Sequence, residues 1–213
     1  MPILDERAGR LIVEYNRNPR CARRYNPAAT AVYQARRQFE DPFVPEFEPH
    51  IINGLTSFDM GRTMPTDFPK RLRSCLQAVR ARPLTSEFRE CRISSADLSA
   101  IGSEIEAVYQ GLARAGNLHP ENQAHVAATK ILHWLFPDLF LMVDSKVAST
   151  FRDVFGVKFV KSTQPGYSAE KYVQCLRLAQ VDIRSFGVER FRLLEPQTPE
   201  ARIFDKIAWA ANP

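Results

Sequence analysis

The stretch that decides the fold is HVAATKILHWLFPDLFLMVDSKV, residues 125–147, in which a nearly all-apolar segment contains one lysine and one histidine. Residues 126–136 carry apolar side chains at helical spacing on almost every side, which is typical of a buried helix. At about 100° per residue, the polar side chains Thr129, Lys130 and His133 fall on one strip of that helix. Because an unpaired buried charge is costly, this strip must face a cleft, a partner or a satisfied hydrogen-bond network.

Two charged residues of this stretch each have two interpretations. Lys130 can be a nucleophile, since apolar surroundings favour the neutral amine, or it can extend to solvent from the start of its helix. Asp144 follows the apolar run 139–143 and precedes a second helical pattern, SKVASTFRDVF. Its carboxylate can cap that helix and, held there, can also act on a substrate. For His133 the alternatives are a hydrogen-bonded structural histidine and a pocket residue.

The same spacing argument predicts an almost wholly helical chain. We expect Asn26 to cap one helix, with Pro27 at its first position, and Thr198 to cap the last helix before Pro199. Gly187 should end the preceding helix, and the prolines at 42, 45 and 49 predict a wrapping loop. The predicted helices cover about 5–17, 27–39, 51–64, 67–82, 94–116, 126–136, 145–155, 169–186 and the segment after Thr198, while 156–163 is a short strand or an extended loop.

These elements predict a compact multi-helix domain, mainly α, with little or no sheet. The length of 213 residues suits one domain. Its N-terminal part, 1–66, would supply basic helices and the proline-rich loop, and 67–213 would form the helical core with the candidate site.

The composition is that of an ordinary globular protein, with 45% hydrophobic and 25% charged residues. No run of eighteen apolar residues is present, so we expect no membrane partner. The four scattered cysteines predict free thiols in a reducing compartment, hence a cytoplasmic protein, nucleoid-associated if it is bacterial. The histidines and cysteines form no metal-binding signature, so neither a metal nor another cofactor is expected.

The net charge of +5 lies entirely in the first 37 residues, where eight arginines face three acidic residues. Arginines interleaved with tyrosines are typical of segments that hold a phosphate backbone. The alternative is a solvated basic helix face. The residues predicted to contact DNA phosphates are Arg17, Arg20, Arg23, Arg24, Arg36 and Arg37.

A second cluster, TSFDMGRTM at 56–64, offers aromatic and sulfur side chains that can sandwich a flipped base, although an acid and an arginine three residues apart more commonly form a salt bridge. Asp205 and Lys206 on the last helix cannot face one another, so we place both at the surface or at a docking face. The predicted substrate pocket consists of His133, Phe58, Asp59, Met60, Arg62 and Trp134.

The order VAATKIL followed by LFLMVDSKV resembles the helix-hairpin-helix DNA glycosylase superfamily, in particular its oxoguanine glycosylase-like members. Thr129, Lys130 and Ile131 match the T-K-V part of the hairpin motif, and 143–147 matches the V-D-[ST]-x-V motif. The resemblance implies an all-helical fold in which Lys130 attacks the sugar C1′ and Asp144 stabilises the developing sugar cation. The family's hairpin glycines are replaced here by Val126, Ala127 and Ala128, and the four-cysteine iron–sulfur loop is absent from the sequence.

The leading hypothesis is therefore a DNA glycosylase, with or without lyase activity, that removes a damaged or modified base flipped out of double-stranded DNA. The alternative is a non-catalytic helical module that binds nucleic acid or protein, in which Lys130 is structural and Asp144 is only a cap. A small-molecule enzyme acting through Asp59 and Arg62 is a third hypothesis. The sequence leaves the recognised base and the oligomeric state open.

Overall fold

The computed structural model describes residues 2–60, 64–115, 124–157 and 169–212. Within these ranges the chain is mainly α-helical and contains no strand, as the sequence predicts. Two π-helical turns, Cys21–Tyr25 and Thr56–Met60, and two 3-10 turns, Pro45–Phe47 and Glu87–Arg89, join some of the helices. The α-helices are α1 (Ala8–Arg17), α2 (Asn26–Gln38), α3 (Glu48–Leu55), α4 (Phe68–Arg80), α5 (Gly102–Ala115), α6 (Ala124–Leu135), α7 (Ser145–Phe155), α8 (Ala169–Phe186), α9 (Val188–Arg192) and α10 (Glu200–Ala210).

Helix α6 lies in the middle of one continuous hydrophobic core. It packs against α5, α2 and α3, and every described side chain from Ala127 to Phe136 is buried. The core also includes residues near both ends of the chain, from Ile3 to Ala208. A helix that is apolar nearly all round is therefore enclosed on all sides, as its composition predicts.

The segment between α6 and α7 is extended and buried, so its backbone polar groups need partners. Three side chains supply them. The Phe140 carbonyl bonds to His133 Nδ1, the Leu141 carbonyl accepts from the Tyr172 hydroxyl at 2.8 Å, and the Val143 N–H donates to Thr129 Oγ1 at 3.2 Å. The polar strip of α6 thus faces an internal hydrogen-bond network that fixes the path of the chain towards Asp144.

The two ends of the chain meet on the same side of the molecule. Helix α1 packs against α10, and the Asp182 carboxylate of α8 accepts the N–H groups of Ile3 and Leu4 at 2.8 and 3.0 Å. Burial raises the pKa of Asp182 against the opposing effect of these two hydrogen bonds. The basic N-terminal segment is consequently tied to the helical core.

Most helix positions agree with the sequence prediction. In the predicted helical range 94–116, the apolar residues at helical spacing are buried, namely Leu98, Ile101, Ile105, Val108 and Leu112. Gly187 ends α8 as expected, with φ +96°, a conformation that favours glycine. Parts of the predicted helices 51–64 and 94–116, and most of the segment 156–163, lie outside the described residues. No helix in the described part of the chain is long and apolar enough to cross a membrane.

Three local predictions are wrong. Asn26 is not a cap, because α2 continues directly from the Cys21–Tyr25 turn, and its amide instead donates to Asn16 Oδ1 at 2.9 Å. The wrapping loop is shorter than predicted, since Pro45 opens a 3-10 turn and Pro49 lies in the first turn of α3, where its missing N–H is tolerated. Pro199, not Thr198, precedes α10, and the first N–H of that helix, on Glu200, donates to Asp138 Oδ1 at 3.1 Å.

Candidate active site

Lys130 is a buried lysine and does not extend to solvent. The residue is 5% exposed, and its ammonium nitrogen lies 4.8 Å from the centroid of the Phe58 ring. Phe58 stacks on Tyr25 with ring centroids 4.7 Å apart and an interplanar angle of 7°, and it meets Trp134 edge to face. An aromatic face attracts a cation, so Phe58 holds the end of the lysine side chain in place.

Asp144 is the N-cap of α7, as the sequence predicts. One of its carboxylate oxygens, Oδ1, accepts the backbone N–H groups of Lys146 and Val147, each at 3.0 Å. The side chain is half-buried. Its second oxygen, Oδ2, accepts no hydrogen bond from the described part of the chain. The carboxylate is therefore held by one oxygen while the other is available.

Lys130 and Asp144 flank the same hydrogen bond. Thr129 Oγ1 on α6 accepts the Val143 N–H, and Lys130 and Asp144 are the residues that follow this pair along their respective segments. Because consecutive Cα atoms are only about 3.8 Å apart, this contact brings the two backbones together.

The π-helical turn Cys21–Tyr25, which we call the basic turn because it contains Arg23 and Arg24, is linked indirectly to both residues. Tyr25, at the end of this turn, stacks on Phe58, and the Phe58 ring contacts the Lys130 ammonium. Cys21 at its beginning is buried; burial raises the pKa of its thiol, and the negative charge of Asp144 adds to that effect. The lysine is thus linked to the basic turn through Phe58 and Tyr25, and the aspartate through its charge effect on Cys21.

Five of the six arginines predicted to hold DNA are exposed, and they surround the basic turn and continue along α2. Arg20 lies over the Tyr25 ring at 5.4 Å, and Arg24 donates to the Thr56 carbonyl at 3.2 Å, which joins the basic turn to the Thr56–Met60 turn. Arg36 is different. It is half-buried and donates to the Leu135 and Phe39 carbonyls, so its role is to hold the end of α6. The exposed members are Arg17, Arg20, Arg23, Arg24 and Arg37.

Three of the six residues predicted as a substrate pocket have described side chains, and these three lie in the core. His133 and Trp134 are completely buried and Phe58 is 8% exposed, so all three belong to the core beneath Lys130. The side chains of Asp59 and Met60, and all of Arg62, lie outside the described residues. The structure therefore shows the Phe58 ring in contact with the Lys130 ammonium. The base sandwich stays a prediction.

His133 is a neutral structural histidine. Burial lowers its pKa to about 3. Since a carbonyl only accepts, the contact with the Phe140 carbonyl requires the proton on Nδ1, and Nε2 is then an acceptor for the Tyr33 hydroxyl. The ring locks α2, α6 and the extended segment together.

The residues that replace the hairpin glycines are inside α6. Ala127 and Ala128 are buried, and Val126 is half-buried. The amides of Ala127 and Ala128 are therefore not available to a DNA phosphate, as hairpin glycines would be.

No family model matches the chain, and neither the curated proteins nor the solved structures give a significant match. The site must be interpreted from its own geometry.

Sequence reasoning missed a buried ionic network on α10, and the placement of Asp205 and Lys206 at the surface is wrong. Their exposures are 2% and 6%. Asp205 pairs with Arg202 at 2.7 Å, three residues away on the same helix, and Lys206 binds both oxygens of Glu195 at 2.9 and 2.7 Å. Arg202 also donates to the Tyr15 hydroxyl at 2.6 Å. The spacing of Arg202 and Asp205 was the available signal, because residues three apart share a helix face.

This network lies next to the candidate site. Burial raises the pKa of Asp205 to about 7, an effect that the neighbouring Arg202 opposes and that the charge of Asp144 reinforces. In the part of the chain that is described, no group of three or more His, Cys, Asp or Glu side chains is placed to hold a metal ion.

Proposed function

We propose that this protein is a DNA glycosylase-like enzyme that excises a damaged or modified base. The observation that carries the proposal is the pairing of a buried lysine with a fixed, half-exposed carboxylate, joined through the contact between Thr129 and Val143 and bordered by exposed arginines. A buried lysine and a fixed carboxylate on two adjoining segments are the groups that nucleophilic attack on a sugar would require. The resemblance of the two motifs to the helix-hairpin-helix glycosylases supports the same chemistry.

In this proposal Lys130 is the nucleophile. Its neutral amine attacks the deoxyribose C1′ while the N-glycosidic bond breaks, and the bonding electron pair leaves with the base, which takes up a proton. The new C–N bond becomes an imine when the nitrogen loses its protons and the ring C1′–O bond opens with a proton transferred to that oxygen. The Phe58 ring, which attracts the ammonium form, would position the side chain before it loses a proton and attacks as the neutral amine.

Asp144 supplies negative charge to the sugar as its glycosidic bond breaks. The transition state for loss of the base carries positive charge on the sugar ring, and a carboxylate close to it lowers its energy. The two cap hydrogen bonds occupy Oδ1 and aim the group. Oδ2 is then the oxygen that faces the developing cation. A monofunctional enzyme would use Asp144 in the same way with water as the nucleophile.

The exposed arginines would hold the phosphate backbone of double-stranded DNA while the target base is flipped out of the stack. Arg23 and Arg24 belong to the basic turn, which is linked indirectly to both catalytic candidates. Neutralising the backbone there would place the sugar of a flipped nucleotide beside Lys130 and Asp144.

Borohydride trapping tests the covalent step. Duplex oligonucleotides that each carry one modified base are incubated with the protein and sodium borohydride, and an adduct is detected by mass. We expect wild type and Lys70→Gln, which changes an exposed lysine of α4, to give the adduct, and Lys130→Gln to lose it. Lys146→Gln is the stricter control, because Lys146 lies two residues from Asp144 with its ammonium over Trp209 at 4.4 Å. Loss of the adduct in Lys146→Gln, and not in Lys130→Gln, would identify Lys146 as the nucleophile.

A non-catalytic nucleic-acid-binding module is the second candidate, and one observation favours it. Ala127 and Ala128 lie within α6 and are buried, so the phosphate contact of the glycosylase hairpin has no counterpart at these positions. A binding module would retain DNA through the exposed arginines and would be indifferent to Asp144→Asn. Base release by the wild type, measured with the same oligonucleotides, separates the two candidates.

A further inference from the structure

A polar groove runs between α2 and the segment that leads into α10. It consists of two adjoining cavities of about 430 and 290 Å³, which together lie in the size range of small-molecule sites. Arg37, Gln197 and Thr198 line both cavities. Neither lining includes Lys130, Asp144 or Phe58, so the groove is separate from the candidate active site.

The larger cavity has a buried polar wall. Arg202 and Lys206 line it with side chains that are 4% and 8% exposed. Their charges are matched by Asp205 and Glu195, but hydrogen-bonding capacity is left over. The Lys206 ammonium has three N–H groups, and Glu195 accepts two of them, so one donor is left for a ligand.

Tyr33 contributes an acceptor to the same wall. Its hydroxyl donates to Nε2 of His133, for the reason given above, so the oxygen lone pairs of Tyr33 are available to a donor in the cavity. The wall therefore offers both N–H donors and a hydroxyl acceptor. Such a set suits a ligand whose own groups both donate and accept, as sugar hydroxyls do.

The remaining lining makes a flat base a poor occupant. Apart from the Tyr33 ring, the only apolar residue of the larger cavity is Ala29, and the others are amides, hydroxyls and charged groups. Bases are held by stacking surfaces, which this cavity does not offer. Where the cavities join, Arg37 is exposed and has no ion-pair partner in the described part of the chain. A guanidinium with all its donors available is suited to a phosphate.

We infer that the groove binds a sugar phosphate, with the hydroxyls in the larger cavity and the phosphate at Arg37. This site goes beyond the proposed glycosylase function, because it uses none of the residues of that function's catalytic centre. A sugar phosphate has two sources, a free metabolite and the backbone of a DNA strand, and the same chemistry recognises both.

Calorimetric titration of the full chain tests the inference. The probe is methyl 2-deoxyribofuranoside 5-phosphate, whose closed ring has no aldehyde and cannot form an imine with Lys130. We expect it to bind at least tenfold more tightly than inorganic phosphate or the methyl glycoside without phosphate. Equal binding of inorganic phosphate would contradict the inference, because the groove would then recognise only the anion. Absence of heat with all three probes would also overturn it.

Two variants locate the binding within the groove. Loss of a charge-assisted hydrogen bond in Arg37→Gln and loss of the acceptor in Tyr33→Phe should each weaken binding of the probe about tenfold. Arg152→Gln is the matched control, since Arg152 is an exposed arginine of α7 that lines neither cavity and lies outside the proposed DNA interface. Weakening in the control alone would contradict the assignment. Displacement of the probe by an unmodified duplex identifies the DNA backbone as the source, and retention identifies a free sugar phosphate.

Discussion

At the scale of single residues, the neighbours of each polar group on α6 decide what it can do. Thr129 and His133 form hydrogen bonds within the chain, Thr129 with the Val143 N–H and His133 with the Phe140 carbonyl. Lys130 has its ammonium against an aromatic face in the core. The helical projection of the sequence correctly groups these three residues on one strip. It does not separate their roles, because the partners come from segments distant in sequence.

The buried His133 predicts a specific dependence of stability on pH. Its pKa falls from the ordinary 6.5 to about 3, so below pH 6.5 the unfolded chain binds a proton that the folded chain does not. This contribution to stability is present above pH 6.5 and is lost as the pH falls towards 3. From pH 6.5 to 5.0 the loss is roughly 2 kcal/mol, at about 1.4 kcal/mol per unit.

Urea unfolding of wild type and His133→Gln at pH 7.0 and 5.0 measures this contribution. The variant should be less stable at pH 7.0 and should lose less free energy of unfolding on acidification than the wild type. The comparison cancels groups common to both proteins, among them Asp182 and Asp205, whose pKa values are raised by burial. Parallel pH dependence in the two proteins would show that His133 is not held neutral.

At the scale of elements, the sequence predicts helices well where one face is apolar and fails where a terminus is unusual. Helices α4, α7 and α8 lie where their apolar spacing places them. The predicted cap at Asn26 fails because a π-helical turn runs directly into α2. Proline is a poor guide at Pro49, since it is tolerated in the first turn of a helix as well as in loops.

The extended segment before α7 is the element on which the candidate site depends. Its backbone is satisfied by side chains rather than by a strand partner, and none of those contacts is visible in local sequence patterns. The buried Val143 N–H donates to Thr129, and Asp144 is the next residue. Anything that releases Val143 should therefore displace the Asp144 carboxylate.

Thr129→Val tests this dependence, because it keeps the branched shape and removes the acceptor. Leaving the Val143 N–H unsatisfied should lower the free energy of unfolding by about 1–3 kcal/mol. Base release should also slow, measured where the variant is fully folded by circular dichroism. The matched control is Thr56→Val, at an exposed threonine whose hydroxyl bonds only to the Ile52 carbonyl. Equal losses of stability and of base release in the two variants would show that the hydrogen bond between Thr129 and Val143 has no special role.

At the scale of the whole molecule, the positive charge that the sequence concentrates in the first 37 residues lies on the surface. The basic segment is held to the core by Asp182 and by the contact of α1 with α10. Its arginines remain exposed except Arg36. Sequence composition predicts this excess of positive charge. It cannot reveal the buried ionic network of α10, because ion pairing in the core depends on tertiary contacts.

Binding to duplex DNA should therefore depend strongly on salt. For B-DNA the logarithm of the association constant falls with the logarithm of salt concentration by about 0.9 per phosphate neutralised. Arg23→Gln should weaken binding at all sequences and make that slope shallower by about 1. Arg152→Gln, on an exposed arginine of α7 that pairs with Asp153, is the control. Fluorescence anisotropy at several salt concentrations measures both slopes, and identical slopes would exclude the basic turn from the DNA interface.

The most direct test of the proposed function is single-turnover base release by Asp144→Asn. Asparagine is as good an N-cap as aspartate, so the variant should keep the fold and the start of α7 while losing the negative charge. We expect the wild type and Lys146→Gln to release a modified base, and the rate of release by Asp144→Asn to be lower by roughly 100-fold or more. Release by Asp144→Asn at the wild-type rate, with unchanged stability, would contradict the assignment of Asp144 as the group that stabilises the sugar cation.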